Sequence, residues 1–129
     1  MTHTPDVLLV APDPHVAADT LAQLTDAGLR VTVVATFAAA REQLHSRPDL
    51  LISEVRLGEY NGLHLALRAR SAGIPAIVLG QDDAVMAREA ERLGAAYVAP
   101  AGEPRRLTTA IRAAGVRIPP RFGRRTHAA

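Results

Sequence analysis

The sequence contains no cysteine, no lysine and no tryptophan, and it has only two tyrosines and two phenylalanines. The absence of cysteine excludes disulfide bonds, thiolate zinc sites and a cysteine nucleophile. The absence of lysine excludes every mechanism that depends on a lysine ammonium group. No apolar run approaches the roughly 20 residues that a membrane-spanning helix requires, and no basic flank precedes the first apolar run. We therefore predict neither a membrane span nor a signal peptide, and expect a cytoplasmic protein.

The composition is that of one folded domain with an unevenly distributed charge. Hydrophobic residues make up 48% of the 129 residues and charged residues 22%, which is typical of globular proteins. Within the net charge of +2, residues 1–116 hold 11 arginines and all 13 acids, whereas residues 117–129 hold four arginines and no acid. We predict a folded domain over residues 1–115 and a basic, proline-containing tail over residues 116–129, flexible because two prolines block a helix there.

Strand-like and helix-like segments alternate five times along the chain. Most of the strand-like runs are apolar at nearly every position, as expected of parallel strands that are covered on both faces. Between them, apolar residues recur at helical spacing, as do Ala17, Leu21 and Leu24. Five such units with right-handed crossovers predict a three-layer α/β/α sandwich around a five-stranded parallel sheet in the flavodoxin-like order 2-1-3-4-5. The predicted strands cover residues 6–11, 30–35, 49–54, 75–80 and 95–99.

A site in such a sheet lies beyond the carboxyl ends of the strands, near the switch point of the strand order. This rule selects residues 11–14, 54–58, 80–83 and 99–101 as candidates. No phosphate-binding loop or glycine-rich dinucleotide motif occurs in the sequence, and the five histidines are not at metal-ligand spacing. We therefore expect no metal site and no nucleotide cofactor.

Several sequence pieces resemble a known family when they are taken together. Residues 48–57 read Pro-Asp-Leu-Leu-Ile-Ser-Glu-Val-Arg-Leu, and Asn-Gly-Leu follows at residues 61–63. Apolar pieces at residues 7–10, 74–79 and 94–98 lie at matching intervals. In this order and spacing, residues 6–114 resemble the receiver domain of bacterial response regulators. In that family, the third strand ends in a phosphoryl-accepting aspartate and the following loop ends in Asp-Gly-Leu.

The resemblance implies five functional positions, and this sequence departs from the family at each of them. Family receivers hold Mg²⁺ with two adjacent acids, accept the phosphoryl group on an aspartate, and bind its oxygens with a threonine or serine and a lysine. The family's acid pair corresponds to Ala11 and Pro12, with Asp13 next to them, and its phosphoryl acceptor corresponds to Glu54. The position of its threonine or serine hydroxyl is occupied by Gly80. The position of its lysine is occupied by Pro100, or by Ala99 if the fifth strand shifts by one residue. Tyr97 keeps the aromatic position that acts as a switch in the family.

These departures leave more than one interpretation open. The carboxylate of Glu54 is displaced by about 1 Å relative to that of an aspartate, and such a misplacement can reduce a rate about 10²-fold. Glu54 is a partial mimic of a phosphorylated aspartate, a poor phosphoryl acceptor, or a strand-end carboxylate paired with Arg56 or with solvent. Tyr97 is either a mobile switch or a fixed, half-buried residue.

The segment from the predicted fourth helix through the fifth strand to the fifth helix carries charges of both signs. Such a face suits contact with a partner protein or with a second copy of the chain, and the alternative is a solvated surface. The charged residues are Arg88, Glu89, Glu91, Arg92, Glu103, Arg105, Arg106 and Arg112.

The function expected from the resemblance is a non-catalytic, receiver-like signalling domain in a two-component (phosphorelay) pathway. It would act by protein–protein contact, independently of aspartyl phosphorylation, and without a cofactor. Two alternatives stay open: an atypical response regulator that is phosphorylated or charge-activated at Glu54, and a nucleic-acid-binding protein that uses the arginine tail. We do not expect nucleic acid or a membrane as the principal partner.

Overall fold

The computed structural model describes residues 3–99 and 104–119, which form seven strands and five helices. The strands are β1 (Asp6–Val10), β2 (Arg30–Val34), β3 (Leu50–Glu54), β4 (Arg56–Leu57), β5 (Tyr60–Asn61), β6 (Ala76–Leu79) and β7 (Ala96–Val98). The helices are α1 (Pro14–Asp26), α2 (Phe37–Leu44), α3 (Gly62–Ser71), α4 (Ala84–Arg92) and α5 (Pro104–Ala113).

Five of the strands form one parallel sheet in the order β2-β1-β3-β6-β7. This confirms the predicted five-stranded sheet of order 2-1-3-4-5, with each predicted strand found one or two residues shorter. The antiparallel hairpin of β4 and β5 was not predicted, because strands of two residues carry no periodic pattern.

Helices cover both faces of the sheet. Side chains of alternating residues of β1 enter two separate cores: Leu8 and Val10 pack with residues of α2, α3 and α4, whereas Val7 and Leu9 pack with residues of α1 and α5. The three central strands are buried on both faces, as their apolar sequences predict, except that Asp6 at the start of β1 and Glu54 at the end of β3 are half-buried. The edge strand β2 departs from that pattern, since three of its five residues are exposed.

Local sequence signals define where the helices begin and end. Asp13, Thr36, Asn61 and Asp83 are the N-caps of α1 to α4, and each side chain accepts a backbone N–H of its helix. Glycines in the left-handed region follow four of the helices, including Gly28 after α1 with φ of +86°. None of the helices in the described residues is long and apolar enough to cross a membrane.

The predicted tail is only partly described. Val116 is buried and Ile118 packs against the core between the sheet and α1 and α5, so the packed part of the chain runs past residue 115. Residues 120–129, which hold three of the four tail arginines, lie outside the described residues, as does the segment 100–103.

Candidate functional site

The carboxyl ends of the sheet strands bring most of the predicted site residues to one edge. Backbone hydrogen bonds extend the ladder one residue beyond the strands: Ala11 N–H donates to the Val34 carbonyl at 2.9 Å, and Gly80 N–H donates to the Val98 carbonyl at 3.1 Å. Glu54 ends β3 between them. Pro100 lies outside the described residues, and Ala99, the alternative position for the family's lysine, has no polar side-chain atom.

Glu54 is half-buried and is bound by the loop that follows β1. Its Oε2 atom accepts the backbone N–H of Asp13 at 3.0 Å. Burial raises the pKa of Glu54, the Asp13 N–H opposes that rise, and the negative charge of Asp13 adds to it. Among the described residues, no ion pair joins Glu54 to Arg56, which was one of the partners considered for this carboxylate, and its hydrogen bond is instead to a backbone N–H.

Asp13 has a structural role at the start of α1. Its Oδ1 atom accepts the backbone N–H groups of His15 at 2.8 Å and Val16 at 3.4 Å, as an N-cap does. The cap thus occupies one of the two oxygens of the Asp13 carboxylate.

The oxygen donors at this edge do not fit Mg²⁺. This ion requires six oxygens in near-octahedral geometry and is usually bound through carboxylates and phosphate oxygens. Ala11 and Pro12 supply no side-chain oxygen, and residues 3–99 and 104–119 contain no cluster of three His, Cys, Asp or Glu side chains that could hold a metal ion. Next to Glu54, the carboxylate that this part of the edge offers is that of Asp13, one oxygen of which is already taken by the start of α1.

Gly80 and Tyr97 occupy complementary space at the end of β6. A Cβ atom built on Gly80 would lie within 3.0 Å of Cζ and Cε1 of the Tyr97 ring, and would also overlap its hydroxyl oxygen. The Tyr97 hydroxyl donates to the Gln81 carbonyl at 2.7 Å. Burial raises the pKa of Tyr97, and the nearby charges of Asp83 and Asp82 add to that effect. The tyrosine ring thus occupies the volume into which a threonine or serine at position 80 would project.

The sequence indicates Gly80 and Tyr97 as candidate site residues, but it does not show that the two are in contact. The strand register would have revealed this contact. Val78 of β6 pairs with Tyr97, and Gly80, just past the end of β6, lies two residues after Val78 and so faces the same side of the sheet. A glycine placed diagonally across from a large aromatic residue leaves room for the ring. This relation can be read from the sequence only after the register is known.

The connection from β3 to α3 folds back against the end of β3. Gly62 N–H donates to the Val55 carbonyl at 2.6 Å, and a Cβ atom on Gly62 would overlap the Glu54 carbonyl. Asn61 Oδ1 accepts the Leu63 N–H at 2.7 Å and caps α3. The Asn-Gly-Leu motif therefore has a physical function here, since it brings α3 close to the backbone of Glu54.

The predicted docking face consists of α4, β7 and α5. A groove of about 560 Å³ lies between β7 and α5, lined by Tyr97, Arg105 and Arg106 among small residues. On α4, Arg92 pairs with Glu89 at 2.8 Å on the exposed surface. Glu103, another predicted member of this face, lies outside the described residues.

Comparisons with known proteins bear on the fold. No protein-family model matches the sequence, and no curated protein sequence matches it. A protein from Chloroflexus aurantiacus J-10-fl, described as a response regulator, is 28% identical with a TM-score of 0.80, over 87% of this chain and 98% of that chain. A CheY-like response regulator receiver domain protein from Methanospirillum hungatei JF-1 is 21% identical with a TM-score of 0.76, over 86% of this chain and 93% of that chain.

A third similar structure is the BeF3-activated N-terminal receiver domain of RstA from Klebsiella pneumoniae. It is 23% identical to this chain with a TM-score of 0.75, over 84% of this chain and 96% of that domain. The chain therefore has the fold of a response-regulator receiver domain, which confirms the resemblance found in the sequence at the level of the fold.

Proposed function

We propose that this chain is a non-catalytic receiver-like signalling domain of the two-component type, which contacts cytoplasmic protein partners without aspartyl phosphorylation. The receiver fold supports the signalling role. The observation that carries the proposal is the packing at the carboxyl edge of the sheet. There the Tyr97 ring fills the space beside Gly80, and Glu54 is bound by a backbone N–H.

Phosphoryl transfer depends on positioning and on charge neutralisation around the transferred group. A phosphoryl group on Glu54 would find no hydroxyl at Gly80 and no lysine anywhere in the chain. The Tyr97 hydroxyl already donates its hydrogen bond to the Gln81 carbonyl. The poor fit of the oxygen donors to Mg²⁺ removes a further source of positive charge.

The proposal extends to the shape of the partner face formed by α4, β7 and α5. Tyr97 lies on β7 and lines the groove beside α5, and its hydroxyl reaches the Gln81 carbonyl at the edge that holds Glu54. Because position 80 has no side chain that could pull or push the ring, the proposal assigns the α4–β7–α5 face a constant shape. A partner protein or a second copy of this chain would recognise that shape together with its charges of both signs.

The experiment incubates the full chain with acetyl phosphate and Mg²⁺ and measures intact mass, with a phosphorylatable receiver domain as positive control. We expect no added phosphoryl group on the wild type or on Glu54→Gln. Glu54→Asp places the family's acceptor in the same surroundings, and we expect it to stay unmodified because the ammonium and hydroxyl groups are absent.

One result would contradict the proposal, and a second would contradict the reason given for it. Phosphorylation of the wild type that disappears in Glu54→Gln would establish Glu54 as an acceptor. Phosphorylation of Glu54→Asp alone would mean that the surroundings remain competent and that only the acceptor has changed.

A further inference from the structure

A second groove, of about 700 Å³, lies between α2 and α3, and α3 separates it from α4. We call it the α2–α3 groove. One end is formed by the β4–β5 hairpin, which contributes Tyr60, and the sides are formed by residues of the two helices. It shares no lining residue with the groove beside α5.

The α2–α3 groove exposes large apolar side chains. Tyr60 is 57% exposed and Leu67 is 48% exposed, and they are two of the four large hydrophobic residues that stand out as exposed among the described residues. Tyr60 stacks on the buried ring of Phe37 with centroids 4.6 Å apart, which holds its ring in place. A fixed, exposed aromatic ring is typical of the centre of a protein interface, and the exposed leucine beside it adds apolar surface.

The charged residues that line the α2–α3 groove are all basic. Arg41 lies on α2, His64 and Arg68 lie on α3, and no lining residue is acidic. The Arg68 guanidinium stands 6.0 Å from the centre of the Phe37 ring. Within residues 3–99 and 104–119, no carboxylate forms an ion pair with either arginine. The uncompensated positive charge favours an anionic occupant.

We propose that the α2–α3 groove binds an acidic segment of a partner protein that carries a bulky apolar side chain. The apolar side chain would cover Tyr60 and Leu67, and flanking carboxylates would pair with Arg41 and Arg68. The tail of this chain has the wrong charge for the groove, since residues 117–129 contain four arginines and no acid. Two arginines neutralise too few phosphates for useful nucleic-acid affinity.

This inference is independent of the proposed function. It requires neither the absence of phosphorylation nor contact at the α4–β7–α5 face. A protein that is phosphorylated on Glu54 could still use the α2–α3 groove, and failure of the groove would leave the first proposal intact.

The test selects a phage-displayed library of random peptides on the full chain. We expect the enriched peptides to contain acids flanking a leucine, phenylalanine or similar side chain. Synthetic copies are then titrated against the wild type and against Arg41→Glu/Arg68→Glu by fluorescence anisotropy. Charge reversal places like charges opposite each other and should weaken binding at least about tenfold, and added salt should weaken binding to the wild type.

The matched control is Arg70→Glu/Arg117→Glu, which reverses two exposed arginines that line neither groove and do not belong to the predicted docking face, and it should leave the peptide affinity unchanged. Circular dichroism and urea unfolding verify that both double variants are folded, and Arg41→Gln and Arg68→Gln replace the groove variant if it is not. Tyr60→Ala should also weaken binding at least about tenfold, because it removes the apolar contact.

The proposal is overturned if no peptide is enriched, if the enriched peptides lack acids, or if they bind the groove variant as tightly as the wild type. Loss of affinity only in the control variant would place the binding site outside the α2–α3 groove. Sedimentation velocity and a DNA titration complete the test. Self-association or DNA binding that depends on Arg41 and Arg68 would identify a second copy or nucleic acid as the occupant instead.

Discussion

At the scale of single residues, the relation between Gly80 and Tyr97 is the most informative feature of the candidate site. Each residue alone has an ordinary explanation, a small residue at a strand end and a half-buried tyrosine. Together they form a packed contact, with the tyrosine hydroxyl bonded to the Gln81 carbonyl. Gly80 does not have a positive φ, so its small size, and not its backbone freedom, is what the contact uses.

A side chain at position 80 should therefore displace Tyr97. We expect Gly80→Ala and Gly80→Thr to break the hydrogen bond to Gln81 and to destabilise the fold by about 1–3 kcal/mol through overpacking. The measurement is urea unfolding together with NMR of the Tyr97 ring, recorded in a Tyr60→Phe background so that a single tyrosine reports.

The control for this prediction is a double-mutant cycle. Tyr97→Ala removes the ring, so adding Gly80→Ala to it should cost much less than Gly80→Ala alone, with a coupling of about 0.5–3 kcal/mol. Additive effects of the two substitutions would show that the ring and position 80 do not compete for space.

At the scale of elements, the connection from β3 to α3 shows how a short motif determines local geometry. The sequence resemblance aligned Asn61 and Gly62 with the family's Asp-Gly, but it gave no reason for either residue. In the structure, Gly62 allows the chain to approach the Glu54 carbonyl, and Asn61 caps the helix that follows. The β4–β5 hairpin, which lies between β3 and α3, places Tyr60 against Phe37. It therefore connects the candidate site to the α2–α3 groove.

The cap at Asn61 yields a prediction about α3. Asn61→Ala leaves the Leu63 N–H without its side-chain acceptor, and we expect a loss of about 1 kcal/mol in the free energy of unfolding. Asn61→Asp keeps the acceptor and places a negative charge at the helix N-terminus, so its stability should match or exceed that of the wild type. Urea unfolding of the three proteins measures both effects. Equal losses in the two variants would contradict the capping role.

At the scale of the whole molecule, the sequence predicted the fold far better than the site. Apolar runs such as Leu50 to Ile52 can be buried on both faces only in a covered parallel sheet, so their alternation with helical segments determined the layers. The site depends on polar groups with several competing partners. Asp13 is bound by the start of α1, and Glu54 accepts a backbone N–H instead of pairing with Arg56. The spacing of residues in the sequence does not reveal which hydrogen-bond partner each carboxylate takes, because that depends on the conformation of the loops.

Two carboxylates with opposite pKa shifts should give the stability of the molecule a dependence on pH with two components. The backbone N–H of Asp6 donates a hydrogen bond to the carboxylate of Asp49, and His3 forms a second hydrogen bond with it. Both interactions lower the pKa of Asp49 below its ordinary value of 3.8. Asp49 therefore contributes stability above that value, and this contribution is lost as the pH falls through the lowered pKa. Burial raises the pKa of Glu54 above its ordinary value of 4.5. Stability from Glu54 is therefore highest below 4.5 and declines as the pH rises through the raised pKa.

The variants Asp49→Asn and Glu54→Gln separate the two components, because each removes one titrating group while keeping a side chain of similar size. Measured as the free energy of urea unfolding relative to the wild type, Asp49→Asn should become less stable as the pH rises through the titration of Asp49. Glu54→Gln should become more stable relative to the wild type as the pH rises above 4.5. Both amplitudes should be small because solvent screens partly exposed carboxylates. The slopes must nevertheless have opposite signs, since the aspartate is stabilised in its charged form by a donated hydrogen bond and the glutamate is destabilised in its charged form by burial. Slopes of the same sign would mean that the Asp13 N–H outweighs burial at Glu54, and the carboxylate would then be held in the charged state at the edge of the sheet.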